Sequence, residues 1–343
     1  MTQVIKYPST NQFRQVIQNM RNKLTFSHID ENGEVVRKEP ESWCVPYVGT
    51  VKIHGTNGSI VWHSEDEVVF QSKAQIVDIG RDNAGFAAFM HRKSLSNLLR
   101  QVVNLCARMG IPLKFPIEIA GEWAGRGIQK GVAVNEVEPF FAIFRVAVGK
   151  DESGLKWLPV DWTKYIELQQ ERIFNISTFG SKIIAINFKE PEQSQNALVE
   201  ATAAVEAECP VGKFFGVSGI GEGYVWTPHN PELSKDSGLW FKVKGEKHSV
   251  SKVKTLAEVD PVRLENIKEF IDYAVTENRL EQGLGEVGLD QKKIGEFIKW
   301  VSQDIIKEEG DVLEKNSLTM KDVGSKVATK AREFYMQKLN EVV

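Results

Sequence analysis

A chain of 343 residues with 42% hydrophobic content is longer than a single core usually serves, so two domains are expected. Its 43 lysines and arginines stand against 46 acidic residues, a net charge of -3, which excludes a polycation that coats nucleic acid at large and confines any phosphate-binding surface to a local patch. Three cysteines, Cys44, Cys106 and Cys209, form no CxxC pair; they carry no metal-ligand spacing and read as buried small apolar residues of a reducing compartment.

The first thirty residues hold no apolar run long enough for a signal peptide, and no stretch of about twenty apolar residues follows, so a soluble, cytoplasmic protein without a membrane span is expected. Asn32-Gly33, within residues 28 to 40, predicts a hairpin ahead of the first motif. Residues 44 to 244 have the texture of short strands and turns, interrupted by two or three helices. Among these, residues 94 to 110 form a helix with Leu95, Leu98, Leu99, Val102 and Cys106 on one face and Gly110 as its stop. Residues 187 to 208 start extended and continue as an alanine- and glutamate-rich helix that ends before Pro210.

Beyond residue 255 only helical periodicity remains. Asp260-Pro261 is an N-cap followed by proline at the first helical position, with Leu264, Ile267, Ile271 and Ala274 as its stripe. Ile294, Phe297, Ile298, Val301 and Ile305 form a second stripe, and a third helix, capped by Thr319, carries Val323, Val327, Ala331 and Phe334. The expected division is therefore 1–248 for a sheet domain and 256–343 for a helical one, with a hinge within 245–255.

The segment Val51-Lys52-Ile53-His54-Gly55-Thr56-Asn57-Gly58 follows an apolar strand. Period-two alternation puts Lys52 and His54 on one face and Val51 and Ile53 on the other. Alone, Lys52 reads as a solvated strand lysine. Five further pieces follow in order: Ser72-Lys73; Gly121-Glu122-Trp123-Ala124-Gly125 with Gly127-Ile128-Gln129-Lys130 after it; the aromatic strand 140–146; Gly221-Glu222-Gly223-Tyr224-Val225; and Phe241-Lys242-Val243-Lys244. Together they resemble the covalent nucleotidyltransferase superfamily of ligases and capping enzymes, and specifically the RNA ligase 2 family of phage nick-sealing enzymes and trypanosome editing ligases. His54 stands where DNA ligases and capping enzymes usually have aspartate. A lone KxxG would be weak, but six ordered pieces at family-like spacing are a strong signal, and the resemblance covers almost the whole chain, including its helical C-terminal part.

The resemblance implies an α+β fold: a nucleotidyltransferase (ATP-grasp-like ligase) domain of antiparallel sheets with flanking helices, plus a small all-helical C-terminal domain. It implies an ATP-dependent RNA ligase in which Lys52 attacks the α-phosphorus of ATP and keeps AMP as a phosphoramidate. A lysine amine is protonated at pH 7, so such a site must release its proton; desolvation and neighbouring cations do this, and Lys242 and Lys244 alternate with Phe241 and Val243 so as to face the same cleft. The resemblance further makes Glu122 the acceptor for the ribose hydroxyls, Glu222 the carboxylate that organises magnesium or manganese, and Phe144 the ring that stacks on adenine, although amid Phe140, Phe141 and Ile143 it reads equally as core. Ile53 belongs to the same nucleotide-binding set. Asn57 and Lys73 would contact phosphate or the RNA end, and His54 would act when AMP passes to the RNA 5′-phosphate. His28, His63, His91 and His229 show no ligand spacing.

Three positions depart from the family pattern. Lys73 replaces an arginine and loses its planar fork, Arg145 stands where the phage enzymes have an acid, and Thr227 where lysine or arginine is common. From Trp240 to Lys254 five lysines and one histidine face a single glutamate, a local basic band suited to RNA phosphates or, equally, a solvated linker. The implied partner is RNA, as a nicked duplex, bound by a monomer. A chain ending near residue 250 is expected to form the lysine adenylate but to seal poorly. Two alternatives stay open: an inactive nucleotidyltransferase-like RNA-binding module, and a DNA ligase or capping enzyme on the same fold, against which His54 and the helical C-terminal domain argue.

Overall fold

Alternating burial along the chain after residue 44 resolves into two packed sheets, strands being numbered in chain order. The computed structural model describes residues 4–73, 75–152, 154–245 and 260–342. One sheet runs β1 (Asn11–Gln12), β14 (Phe241–Lys244), β13 (Gly223–Pro228), β4 (Cys44–Lys52), β12 (Ser181–Asn187). The other runs β10 (Gly154–Trp157), β9 (Phe140–Asp151), β8 (Ile117–Ala124), β5 (Thr56–Trp62), β6 (Val68–Ser72), β7 (Ile76–Val77), with β11 (Ile173–Asn175) beside β9. Pairing is antiparallel except at two short edges, β1 with β14 and β11 with β9, which loops deliver in parallel. The expected hairpin is present as β2 (Phe26–Ile29) and β3 (Val35–Arg37), with Gly33 at φ 82° in its turn.

Two helices cover the sheets as their stripes require. Leu95–Met109 buries Leu98, Val102, Leu105 and Cys106 against the second sheet and stops at Gly110, φ 65°. Glu192–Ala207 buries Leu198, Ala201 and Val205. A helix at Phe13–Thr25, which no expectation covered, packs Phe13, Val16 and Met20 under the first sheet. Cys106 and Cys209 are buried, but Cys44 is exposed: it enters β4 in the outward phase, whereas Val45 and Tyr47 take the inward one.

The chain divides into two compact units at Glu258 and Val259. Among its described residues the second contains four long helices rather than the three expected, Pro261–Ala274, Glu277–Val287, Ile294–Lys315 and Met320–Val342. Glu277–Val287 escaped notice because Gly283 and Gly285 lower its helical propensity. Gly283 is there for packing, since a Cβ would meet the Trp300 ring at 2.6 Å. Asp260 caps as its sequence predicts, accepting from the Val262 N–H at 2.9 Å. Ile267, Ile271, Phe297, Val301, Ile305, Val323, Val327 and Ala331 form the core. Tyr335 rather than Phe334 is the fully buried ring, because its hydroxyl donates to the Gly288 carbonyl at 2.8 Å. Among the described residues no helix is long and apolar enough to cross a membrane. The hinge expected within 245–255 lies outside the described residues apart from Gly245, as does the basic band beyond Gly245.

Candidate active site

The cleft lies between the two sheets of the first unit, where β4 ends. Lys52 is the last residue of β4, and Val51 and Ile53 on either side are buried, so alternation drives its ammonium outward as expected. Gly55 then turns the chain into β5 so tightly that a Cβ would lie 2.3 Å from the Trp123 carbonyl oxygen; only glycine permits the approach. Register does the rest: Asn57 pairs with Glu122 across β5 and β8, and Gly223 pairs with both Lys52 and Lys244. Gly223 is itself obligatory, with φ 142° and the Val243 oxygen 2.1 Å from where a Cβ would sit.

Residues far apart in sequence therefore meet around Glu222, whose side chain is 2% exposed. Lys52 Nζ donates to Glu222 Oε2 at 2.7 Å, and Lys244 Nζ lies 2.6 Å from Oε1. His54 Nδ1 is 3.6 Å from the same Oε2. Burial pushes the Glu222 carboxyl upward, but the two lysines outweigh it and hold it below the usual carboxylate range. Glu122 lacks such direct pairing. Burial pushes it up to about 7 against the pull of Lys52 and a hydrogen bond from the Gly55 N–H at 3.1 Å. The Lys242 ammonium is depressed, first by burial and then by Lys244, Lys52 and Lys73.

Lys52, Ile53, Asn57, Lys73, Glu122, Phe144 and Lys242 all line one cleft of about 230 Å³. With Glu222 paired to Lys52, and Lys244 and His54 against the same Glu222, every candidate catalytic and nucleotide-binding residue comes together. The cleft also has walls that sequence reasoning did not assign to it: Tyr7 to Thr10, Thr50, Ile176, Val225 and Arg145, the last noted only as a departure from the family pattern. Val225 was detectable, being in phase with Gly223 on β13. Tyr7 arrives from a loop and Ile176 from the short 3-10 helix Ile176–Phe179, and neither had a local signal. Phe144 reaches the cleft because β8 and β9 slip register between Ala120 and Gly121, leaving it as the extra residue of a bulge that re-aims its ring. Tyr7 packs edge-on against that ring, centroids 5.2 Å apart.

A larger depression of about 1110 Å³, lined by Lys6, Lys23, His63, Glu67, Lys150 and Asp236 among others, is open, and it contains no counterpart of the buried Glu222 centre. Three other histidines have partners away from the cleft: His91 packs on Phe70, His229 pairs with Asp161 at 3.0 Å and His28 meets Ser27. Among the described residues no group of three His, Cys, Asp or Glu side chains could hold a metal by itself.

Apart from Tyr7 to Thr10, the residues of the cleft fall within residues 45–244, which match the RNA ligase family. A mutant of the Naegleria gruberi RNA ligase solved with ATP and Mn is similar in structure, with 14% identity and a TM-score of 0.43 over 71% of this chain and 57% of that one. The same ligase with PPi gives 12% and 0.42 over the same shares. This chain thus spans little more than half of that ligase's length. No curated protein matches the chain. With more than half of its residues matched, and with the lysine, the two glutamates and the lysine pair gathered in the matched segment, the chain belongs to the RNA ligase family.

Proposed function

We propose that this protein is an ATP-dependent RNA ligase that joins a 3′-hydroxyl to a 5′-phosphate at nicks in duplex RNA, through a lysine-AMP intermediate on Lys52. The observation that carries this reading is the Lys52–Glu222–Lys244 centre at the mouth of a cleft walled by Phe144 and Glu122. In the first step the Lys52 amine, having lost a proton, forms a bond to the α-phosphorus of ATP as the bond to pyrophosphate breaks. Lys242 and Lys244 take up the negative charge that develops on the phosphate. Glu122 holds the ribose hydroxyls, Phe144 stacks on the base, and Ile53 with Val225 closes its apolar surroundings. The AMP then passes to the RNA 5′-phosphate, with Asn57, Lys73 and His54 positioned around that end, and the 3′-hydroxyl finally displaces AMP.

A divalent cation, magnesium or manganese, fits this donor set. Hard cations favour oxygen ligands and keep waters, so the Glu222 carboxylate together with substrate phosphates suffices without a protein cage. Bound there, it would neutralise phosphate charge. Lys52 and Lys244 hold both Glu222 oxygens, so the carboxylate must exchange partners when the cation and nucleotide enter. The helical unit, about 256–343, serves sealing more than self-adenylylation. The decisive experiment incubates the protein with α-labelled ATP and magnesium beside Lys52→Ala, followed by denaturing electrophoresis. Label on the parent that vanishes in the variant supports the reading; no label on folded protein freed of bound AMP by pyrophosphate leaves an RNA-binding module.

A further inference from the structure

Two of the three positions that depart from the family pattern, Arg145 and Thr227, touch each other. Arg145 is 5% exposed and lines the cleft. Its Nη2 donates to Thr227 Oγ1, its Nη1 to the Phe144 carbonyl oxygen at 3.2 Å, and its guanidinium lies over the Trp240 ring at 4.2 Å. Its buried Nε has no partner, and among the described residues no carboxylate pairs with it. A buried cation left without a counter-ion is costly, and an orphaned buried donor calls for an explanation. Arginine offers only donors, so whatever completes it must present an acceptor.

Register shows where in the cleft that acceptor belongs. On β13, Gly223 lies level with Lys52 and Lys244, Val225 level with Thr50 and Lys242, and Thr227 level with Val48. Thr227 is thus four residues, about 13 Å, from the nucleophile. The facing sheet has the same order: Glu122 level with Ala142, Phe144 in the bulge, Arg145 level with Ala120. A nucleotide with its phosphate at Lys52 and its base against Phe144 points the far edge of that base at Arg145.

We propose that Arg145, steadied by Thr227 and Trp240, is a specificity residue that donates a hydrogen bond to an acceptor atom on the far edge of the nucleotide's base. The proposal rests on the reading that this cleft takes ATP. A purine offers ring nitrogens N1, N3 and N7 as acceptors, and removing them one at a time reveals which is read. The test measures initial rates of self-labelling by the full chain with ATP and with 1-deaza-, 3-deaza- and 7-deaza-ATP, for the wild type, Arg145→Met, Arg145→Lys and Thr227→Val. Arg145→Met is expected to raise KM for ATP about tenfold with little change in kcat. One deaza analogue should cost the wild type a similar factor and cost Arg145→Met nothing further. Arg145→Lys, which keeps charge but not the fork, should restore part of the coupling. Should Arg145→Met not fold, Thr227→Val decides, since it keeps the guanidinium and loosens one tether; its penalty for that same analogue should shrink. The proposal is overturned if the wild type labels with ATP but every analogue costs wild type and variants equally, which would make Arg145 a packing residue on Trp240. Absence of label on the wild type would instead refute the nucleotide reading of the cleft, and this proposal with it.

Discussion

The two units are built to different rules. Among the described residues, every fully buried polar or charged side chain outside the tyrosines, from Ser59 to Ser234 and including Glu118, Arg145 and Glu222, belongs to the first unit. The interior of the helical unit is apolar apart from the hydroxyl of Tyr335. A polar network there, Arg279 with Asp304 at 2.8 Å and Glu309 at 2.7 Å, remains partly exposed. Desolvated charge is expensive and persists where a fold holds it in satisfied pairs or leaves it ready for a ligand. The contrast teaches that the first unit holds buried charge at a cost in stability, while the second keeps its charges at the edge of an apolar helix core.

The comparison breaks most visibly if the charged centre is dispensable. Glu222→Ala is expected to slow self-adenylylation on the order of 10²- to 10³-fold, read from initial labelling rates; a rate within about threefold of wild type would remove Glu222 from the chemistry. On the other side, Phe297→Ala should cost the helical unit about 3–5 kcal/mol in a urea titration while labelling of Lys52 persists and joining of nicked RNA falls. Labelling lost in parallel with folding of that unit would merge the two.

The pH dependence sharpens the same contrast. Burial pushes the Glu118 carboxyl up to about 7 from an ordinary 4.5, against hydrogen bonds from Ser59 and Gln71. A carboxyl raised in the folded state takes up a proton on folding, so its contribution is fully present below about pH 4.5 and is lost as pH rises to about 7. Relative to Glu118→Gln, the wild type should therefore lose on the order of 1–3 kcal/mol across that window; a flat difference would show that Glu118 ionises as it does in water. The smallest effect is at the helical unit's entry, where Asp260→Ala should cost about 1 kcal/mol by thermal melt and leave labelling unchanged.

Much of this was legible in the sequence because it is local. Alternation placed Lys52 between buried neighbours and set Lys242 and Lys244 on one face, and 3.6-residue stripes located the helix at Leu95–Met109 and most of the helical unit. Where local signals were weak or misleading the expectations fell short. The glycines of Glu277–Val287 hid a helix, Cys44 took the outward phase of its strand, and Phe13–Thr25 declared itself only through the sheet it covers.

The ordered motifs, through their resemblance to a known family, were enough to gather the Lys52, Glu122, Glu222, Lys242 and Lys244 set, and the α+β class was legible because strand and helix periodicities are properties of a few consecutive residues. Tertiary structure alone decided that Glu222 is clasped by two lysines, that a one-residue bulge turns Phe144 into the cleft, and that Arg145 and Thr227, each a departure when read along the chain, form one contact. Those outcomes depend on register between strands that are distant in sequence, and register is set by the packing of whole faces rather than by any segment's own pattern.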